Sequence, residues 1–197
     1  MAGDGDGESD LLFQNPTINR LGWWLMNGAQ VLSMHNQVAG AGYVVGALGD
    51  FDGDSKVDIA WTNLSNTVVI WMNTGSGFAG QHIQSYGAGW KLFAAGDVNG
   101  DGNADLLFHN SVTNTFCWWL MSGTIVQLTP KQATGSGYHL AVAGDFNGDG
   151  KVELLWTNNS HNLVIWTSTG SRFTGQHISQ SYGSAWSLVP WLTCAMR

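Results

Sequence analysis

Four short stretches of this chain carry oxygen side chains at one fixed spacing. The fullest runs from Gly144 through Asp145, Phe146, Asn147, Gly148, Asp149, Gly150, Lys151, Val152 and Glu153 to Leu154, Leu155 and Trp156. Asp145, Asn147, Asp149 and Glu153 stand at positions 1, 3, 5 and 9 of a loop, and the backbone carbonyl of Lys151 is available at position 7. That donor set suits calcium, a hard cation that takes about 6–8 oxygens from carboxylates, amides, backbone carbonyls and water. Gly148 and Gly150 let the backbone turn through conformations that a Cβ resists. The last acid leads directly into an apolar, strand-like run, so the spacing predicts a calcium loop that feeds a β-strand.

The pattern recurs. Asp97, Asn99, Asp101 and Asp105, with the carbonyl of Asn103, precede Leu106-Leu107-Phe108. Asp50, Asp52, Asp54 and Asp58, with the carbonyl of Lys56, precede Ile59-Ala60-Trp61. A partial copy, Asp4, Asp6 and Asp10, precedes Leu11-Leu12-Phe13, with Ala2 at its first position. The last ligands of the four copies are 48, 47 and 48 residues apart. A constant period of this size marks an array of one supersecondary unit. Three to four calcium ions are expected, tightest at the second loop with its four aspartates and weakest at the first.

Composition agrees. Of the 14 acidic residues, all but Glu8 fall at loop positions, so the net charge of −7 belongs to metal sites rather than to an acidic surface. No basic stripe is present, which argues against nucleic acid as a partner. The 27 glycines, 11 tryptophans and 3 prolines suggest short strands and tight turns rather than helices. Cys117 and Cys194 fall at unrelated positions of the repeat and read as small apolar residues, not as a disulfide framework. No apolar run approaches the ~20 residues of a membrane-spanning helix, and the first residues lack the pattern of a signal peptide.

Stepping through one unit gives the elements that hold the loop. A small-residue strand (Tyr43 to Leu48) leads into it, and a second strand (Asp58 to Asn63) leaves it. A turn, a third strand (Thr67 to Met72), the turn Asn73-Thr74-Gly75-Ser76-Gly77 and a fourth run (Phe78 to Ser85) complete it. Four short antiparallel strands make one blade of a β-propeller. The expectation is an all-β, single-domain propeller of four four-stranded blades, with repeats at about 1–42, 43–89, 90–137 and 138–185. The segment 186–192 is in register with Tyr43 to Leu48, so it is expected to complete the first blade and close the ring. The competing geometry is an eight-bladed ring in which two chains complete each other, so the chain is a monomer or a homodimer.

The loop sequence Asp-Phe-Asn-Gly-Asp-Gly-Lys-Val-Glu-Leu-Leu-Trp, repeated with Trp or Phe closing each copy, resembles the FG-GAP/VCBS repeats. The resemblance covers nearly the whole chain. It implies calcium between the first two strands of each blade, a secreted or cell-surface location, and adhesion or carbohydrate binding. Rings of this kind usually have about seven blades, and four units are a departure.

Comparing the repeats with one another separates scaffold from candidate binding site. Phe13, Trp61, Phe108 and Trp156 recur at one position, Trp23, Trp71, Trp118 and Trp166 at another, and Asn15, Asn63, Asn110 and Asn158 at a third. A residue present in every blade meets a demand every blade has, namely core filling or turn chemistry. The next position reads Trp24, Met72, Trp119 and Thr167, and strand alternation turns it to the opposite face. Trp24 and Trp119 are therefore expected as partly exposed aromatic platforms. Odd and even units are more alike than neighbours, as Gln81-His82 and Gln176-His177 show, which points to duplication of a two-blade piece. Trp24, Trp119, Gln81, His82, Gln176, His177, Tyr86 and Tyr182 have the types that stack on sugar rings and bond hydroxyls, and carbohydrate or glycoprotein is the expected ligand. The alternative is that the same residues only pack blades and edges, which would make the chain a calcium-stabilised scaffold for protein partners.

An enzyme is not expected. Nucleophilic and glycosidase chemistry both need an acid to orient a base or to act in a pair, and the loops use nearly every acid. The four remaining histidines fall at unmatched positions, with no close pair to suggest zinc.

Overall fold

The computed structural model describes residues 6–188. Sixteen strands form four antiparallel sheets, with no helix among the described residues. The first sheet holds β1 (Leu11–Asn15), β2 (Arg20–Asn27) and β3 (Gln30–Val38). The second holds β4 (Tyr43–Gly49), β5 (Asp58–Asn63), β6 (Thr67–Asn73) and β7 (Phe78–Ser85). The third holds β8 (Lys91–Gly96), β9 (Asp105–Asn110), β10 (Thr115–Ser122), β11 (Ile125–Leu128) and β12 (Lys131–Ala133). The fourth holds β13 (Tyr138–Gly144), β14 (Glu153–Asn158), β15 (Leu163–Ser168) and β16 (Phe173–Ile178).

Strand order follows chain order within each sheet. In the third sheet β11 and β12 both pair with β10, so the outermost strand is one strand broken in two. The break falls at Pro130, which has no N–H to give a ladder. In the three sheets whose innermost strand is described, one residue of that strand slips out of register, at Gly46, Phe93 and Ala141. A bulge at the same place in each adds twist where the sheets crowd together.

The recurring asparagines are turn residues. Asn63 Oδ1 accepts the backbone N–H of Ser65 and of Thr67, at 2.9 and 3.0 Å, and Asn158 does the same for Ser160 and Asn162. Asn15 and Asn110 cap hairpins that are one residue longer. That single residue changes the sheet faces. In odd sheets the residue after the last loop acid pairs with the second tryptophan of a Trp-Trp pair, Leu11 with Trp24 and Leu106 with Trp119. In even sheets it pairs with the lone tryptophan, Ile59 with Trp71 and Leu154 with Trp166.

As a result, Trp23 of the first sheet and Trp71 of the second point toward each other although they share a repeat position. One cluster gathers Trp23, Trp61 and Trp71 between sheets one and two, and another gathers Trp118, Trp156 and Trp166 between sheets three and four. The junction of sheets two and three is different, built on Phe51, Val68 and Ile70 against Phe108, Trp119 and Met121. The expected two-sheet duplication is therefore visible in the packing. Inner strands approach the next sheet's loop closely at Gly49, where a Cβ would lie 2.6 Å from that of Ala104, and at Gly96, where it would lie 2.8 Å from that of Val152.

Closure of the ring is not seen among the described residues. The first sheet has three strands, and no core cluster joins the fourth sheet to the first. The N–H of Trp186 donates to the Gly183 carbonyl at 2.9 Å, the turn that also precedes Tyr43, Trp90 and Tyr138. Residues 186–188 are not in a strand, and the remainder of the expected closing segment lies outside the described residues.

Candidate metal centres and recognition surface

Each loop is organised by its first and last acids. Asp50 Oδ1 accepts the N–H of Gly53 at 2.7 Å, and its Oδ2 accepts that of Ser55 at 2.7 Å. Asp97 binds Gly100 and Gly102 in the same way, at 2.6 and 2.8 Å, and Asp145 binds Gly148 and Gly150, at 2.6 and 3.0 Å. These turns need positive φ, which Gly102 and Gly150 supply; Ser55 adopts it at φ 67° with a side chain.

In the second, third and fourth loops the last acid is buried, in the first Asp10 is half-buried, and each fastens its loop to the sheet. Asp58 accepts the N–H of Phe51 at 2.9 Å and that of Asn73 at 2.7 Å, joining the loop to the end of β6. Asp105 accepts from Val98 and Met121, both at 2.8 Å. Asp10 takes the N–H of Met26 at 2.7 Å. Glu153 accepts from Phe146 at 2.9 Å, and its other oxygen meets Asn147 Nδ2 at 3.3 Å.

Burial raises the carboxyl of Asp58 to about 6 and that of Asp105 to about 7, against which the two backbone N–H groups pull down in each case. Burial raises Glu153 as well. A buried carboxylate this poorly compensated is the setting in which a cation is favourable. In the second loop, single carboxylate oxygens of Asp50, Asp52 and Asp58 lie within 4.8 Å of one another, close enough to share one ion. The all-oxygen donor set fits calcium.

The position-5 acids are engaged differently. Lys56 Nζ binds the Asp54 carboxylate, and Lys151 Nζ binds that of Asp149 at 2.8 Å. In the third loop Asn103 makes the corresponding contacts to Asp101, its N–H at 2.8 Å and its amide at 3.1 Å. Lys56 and Lys151, expected as carbonyl ligands, thus also bring their side chains to the loop. Asp101 also receives Asn99 Nδ2 at 2.9 Å. In the first loop Asp6 accepts the N–H of Glu8 at 2.8 Å, and Asp4 lies outside the described residues.

The loops also join sheet to sheet, which their spacing did not reveal. The Asp50 carbonyl accepts the N–H of Ala104 at 2.6 Å, and the Asp97 carbonyl that of Val152 at 2.6 Å. The next carbonyl along each loop is used as well. Phe51 O accepts the N–H of Gly123 at 2.7 Å, and Val98 O accepts the Ser168 hydroxyl at 2.5 Å.

The sugar-type residues divide. Gln81, His82, Gln176 and His177 are exposed on β7 and β16. Tyr86 and Tyr182 are half-buried, with hydroxyls 2.7 Å from Thr62 Oγ1 and 3.0 Å from Thr157 Oγ1. Trp24 is half-buried beside Phe13, ring centroids 4.9 Å apart. Trp119 is not the exposed platform expected of it. It is 5% exposed and packs on Phe108, because the third sheet's face is covered by the second. Cys117 is buried, and burial pushes its thiol up to about 11, so it is protonated at neutral pH.

Four antiparallel sheets, with acidic loops that fasten the second to the third and the third to the fourth, define a propeller-like array of acidic-loop repeats. The chain belongs to the FG-GAP-like repeat family, whose repeat matches residues 50–108 and 97–156. Among solved structures, the crystal structure of a protein from Lactobacillus plantarum is similar in fold, with a TM-score of 0.54 and 13% identity. The match covers 86% of this chain and 54% of that one, so the chain spans about half the length of that structure. No curated protein matches the sequence. Among the described residues, no helix is long and apolar enough to cross a membrane.

Proposed function

We propose that this chain is a calcium-stabilised, non-enzymatic recognition module that acts outside the cell or at its surface, and that it binds carbohydrate or glycoprotein. The observation that carries the calcium part is the convergence of Asp50, Asp52 and Asp58 within 4.8 Å, one of them buried. Asp97, Asn99, Asp101 and Asp105 would form the third centre, and Asp145, Asn147, Asp149 and Glu153 the fourth, with Asp54 joining the second, giving three ions, or four with Asp4, Asp6 and Asp10. When bound, calcium supplies positive charge that offsets like-charged carboxylates. The residues themselves fix the loops and, through the carbonyls of Asp50 and Asp97, hold adjacent sheets in register as parts of a ring.

The exposed Gln81, His82, Gln176 and His177 support sugar recognition, since they offer two equivalent sets of directional donors and acceptors on outer strands. A second reading, a scaffold for protein partners, is favoured by the loops' part in joining sheets. A glycan array probed in calcium and again in chelator separates the two. The expected result is a coherent sugar set whose signal falls with His82→Ala and His177→Ala. A blank array from folded, calcium-loaded protein would overturn the sugar reading and leave the scaffold.

A further inference from the structure

The two outer faces of the array are halves of a junction that the chain already contains. Residues 95 apart are equivalent, so the first sheet corresponds to the third and the second to the fourth. At the junction of sheets two and three, the third sheet contributes Leu106 and Phe108, both fully buried, to the shared cluster. Their counterparts in the first sheet, Leu11 and Phe13, are each 44% exposed and belong to no cluster. Trp24 and Met26, counterparts of the buried Trp119 and Met121, lie on that same open face.

The fourth sheet presents the complementary half. Phe51, under the edge of the third sheet, is fully buried, whereas its counterpart Phe146 is 49% exposed. Val68 and Ile70 are buried in the same junction, but Leu163 and Ile165 are only half-buried and lie in no cluster. The apolar character is kept at each of these positions. Small size is exchanged across the junction too: Ala60 and Cys117 correspond to Leu155 and Gly22, so a larger residue on one side goes with a smaller one on the other.

We propose that a second copy of this chain covers both faces. The fourth sheet of each copy seats the first sheet of the other, repeating the internal junction of sheets two and three at both seams. Two observations select a second copy. The faces match each other through an interface already present in the fold. They are not covered by each other within one chain, since no cluster joins sheet four to sheet one among the described residues. A head-to-tail contact that closes after two copies gives a ring with no exposed seam.

The test is solution mass by light scattering coupled to size exclusion, over a hundredfold range of concentration. The wild type is expected at about 42 kDa, twice the 21.2 kDa of one chain. Phe13→Asp and Ile165→Asp each spoil one half of the seam, so each is expected at the single-chain mass with its strand circular dichroism retained. Mixing the two variants is expected to restore a two-chain species, because an intact first face then meets an intact fourth face. If either aspartate variant fails to fold, Phe13→Ser and Ile165→Ser take its place. A wild type at the single-chain mass throughout, variants that remain at the two-chain mass, or mass growing beyond two copies would each overturn the proposal.

Discussion

Gly96→Ala tests how strongly the metal loops depend on the close approach of an inner strand to the next sheet's loop. The new Cβ would lie 2.8 Å from Val152 Cβ and 2.9 Å from Cγ2, and both belong to a buried side chain. Carbons in contact sit about 3.5–4.0 Å apart, so β8 and the end of the fourth loop must separate by roughly 0.6–1.2 Å. Rotating Val152 cannot relieve this, because its Cβ is fixed to the backbone. The adjacent bond from Val152 N–H to the Asp97 carbonyl, now 2.6 Å, would lengthen to about 3.2–3.8 Å and weaken or break. Overpacking costs about 1–3 kcal/mol and the weakened bond about 0.5–1.5 kcal/mol, giving about 1.5–4.5 kcal/mol in all. For a chain of this size that lowers Tm by roughly 3–18 °C. Urea unfolding in chelator measures it without metal, and calcium titration should show weaker binding at the loop that begins with Asp97. Val152→Ala in the same chain removes the Cγ2 contact but keeps the Cβ contact, so it should restore less than half. A loss below about 0.5 kcal/mol, or full rescue by Val152→Ala, would refute the reasoning.

Three other perturbations test separate parts of the structure. Asp101→Ala should lower Tm by several degrees in calcium but by less than about 2 °C in excess chelator, since in the protein it contacts only loop neighbours; an equal drop in both would show that the carboxylate acts through something other than metal. Ser55→Gly should raise stability by about 0.5–1 kcal/mol, because relief of left-handed strain outweighs the added freedom of the unfolded glycine; urea midpoints that fall, or do not move, would contradict it. His109 is held below its usual range by burial and then by His139, so the folded state favours the neutral ring. Its stabilising contribution is therefore complete above pH about 6.5 and is lost as pH falls below that value, and His109→Gln should flatten this limb of the stability–pH profile.

The loops, their strands and the two-sheet duplication were legible because each rests on side chains repeated at fixed spacing. The asparagine turns were legible too, since Asn15, Asn63, Asn110 and Asn158 recur with no exception. The burial of Trp119 was not. Alternation places it opposite Trp118, but only the neighbouring sheet decides whether that opposite face meets solvent. Equal repeat position also concealed that Trp71 and Trp118 face opposite ways, because the cause is a one-residue difference in hairpin length. The bonds from loop carbonyls to the next sheet use backbone atoms, which leave no side-chain signature.

That hairpin difference limits how chains of this kind can change length. A short and a long hairpin alternate, and the side on which a tryptophan lies alternates with them. Deleting one sheet would bring together faces that are not partners in this fold; without the second sheet, for example, the Trp23 face of the first would meet the Trp119 face of the third. Adding or removing about 95 residues preserves every pairing. The pair of sheets is therefore the smallest unit that can be added or removed with every face still matched.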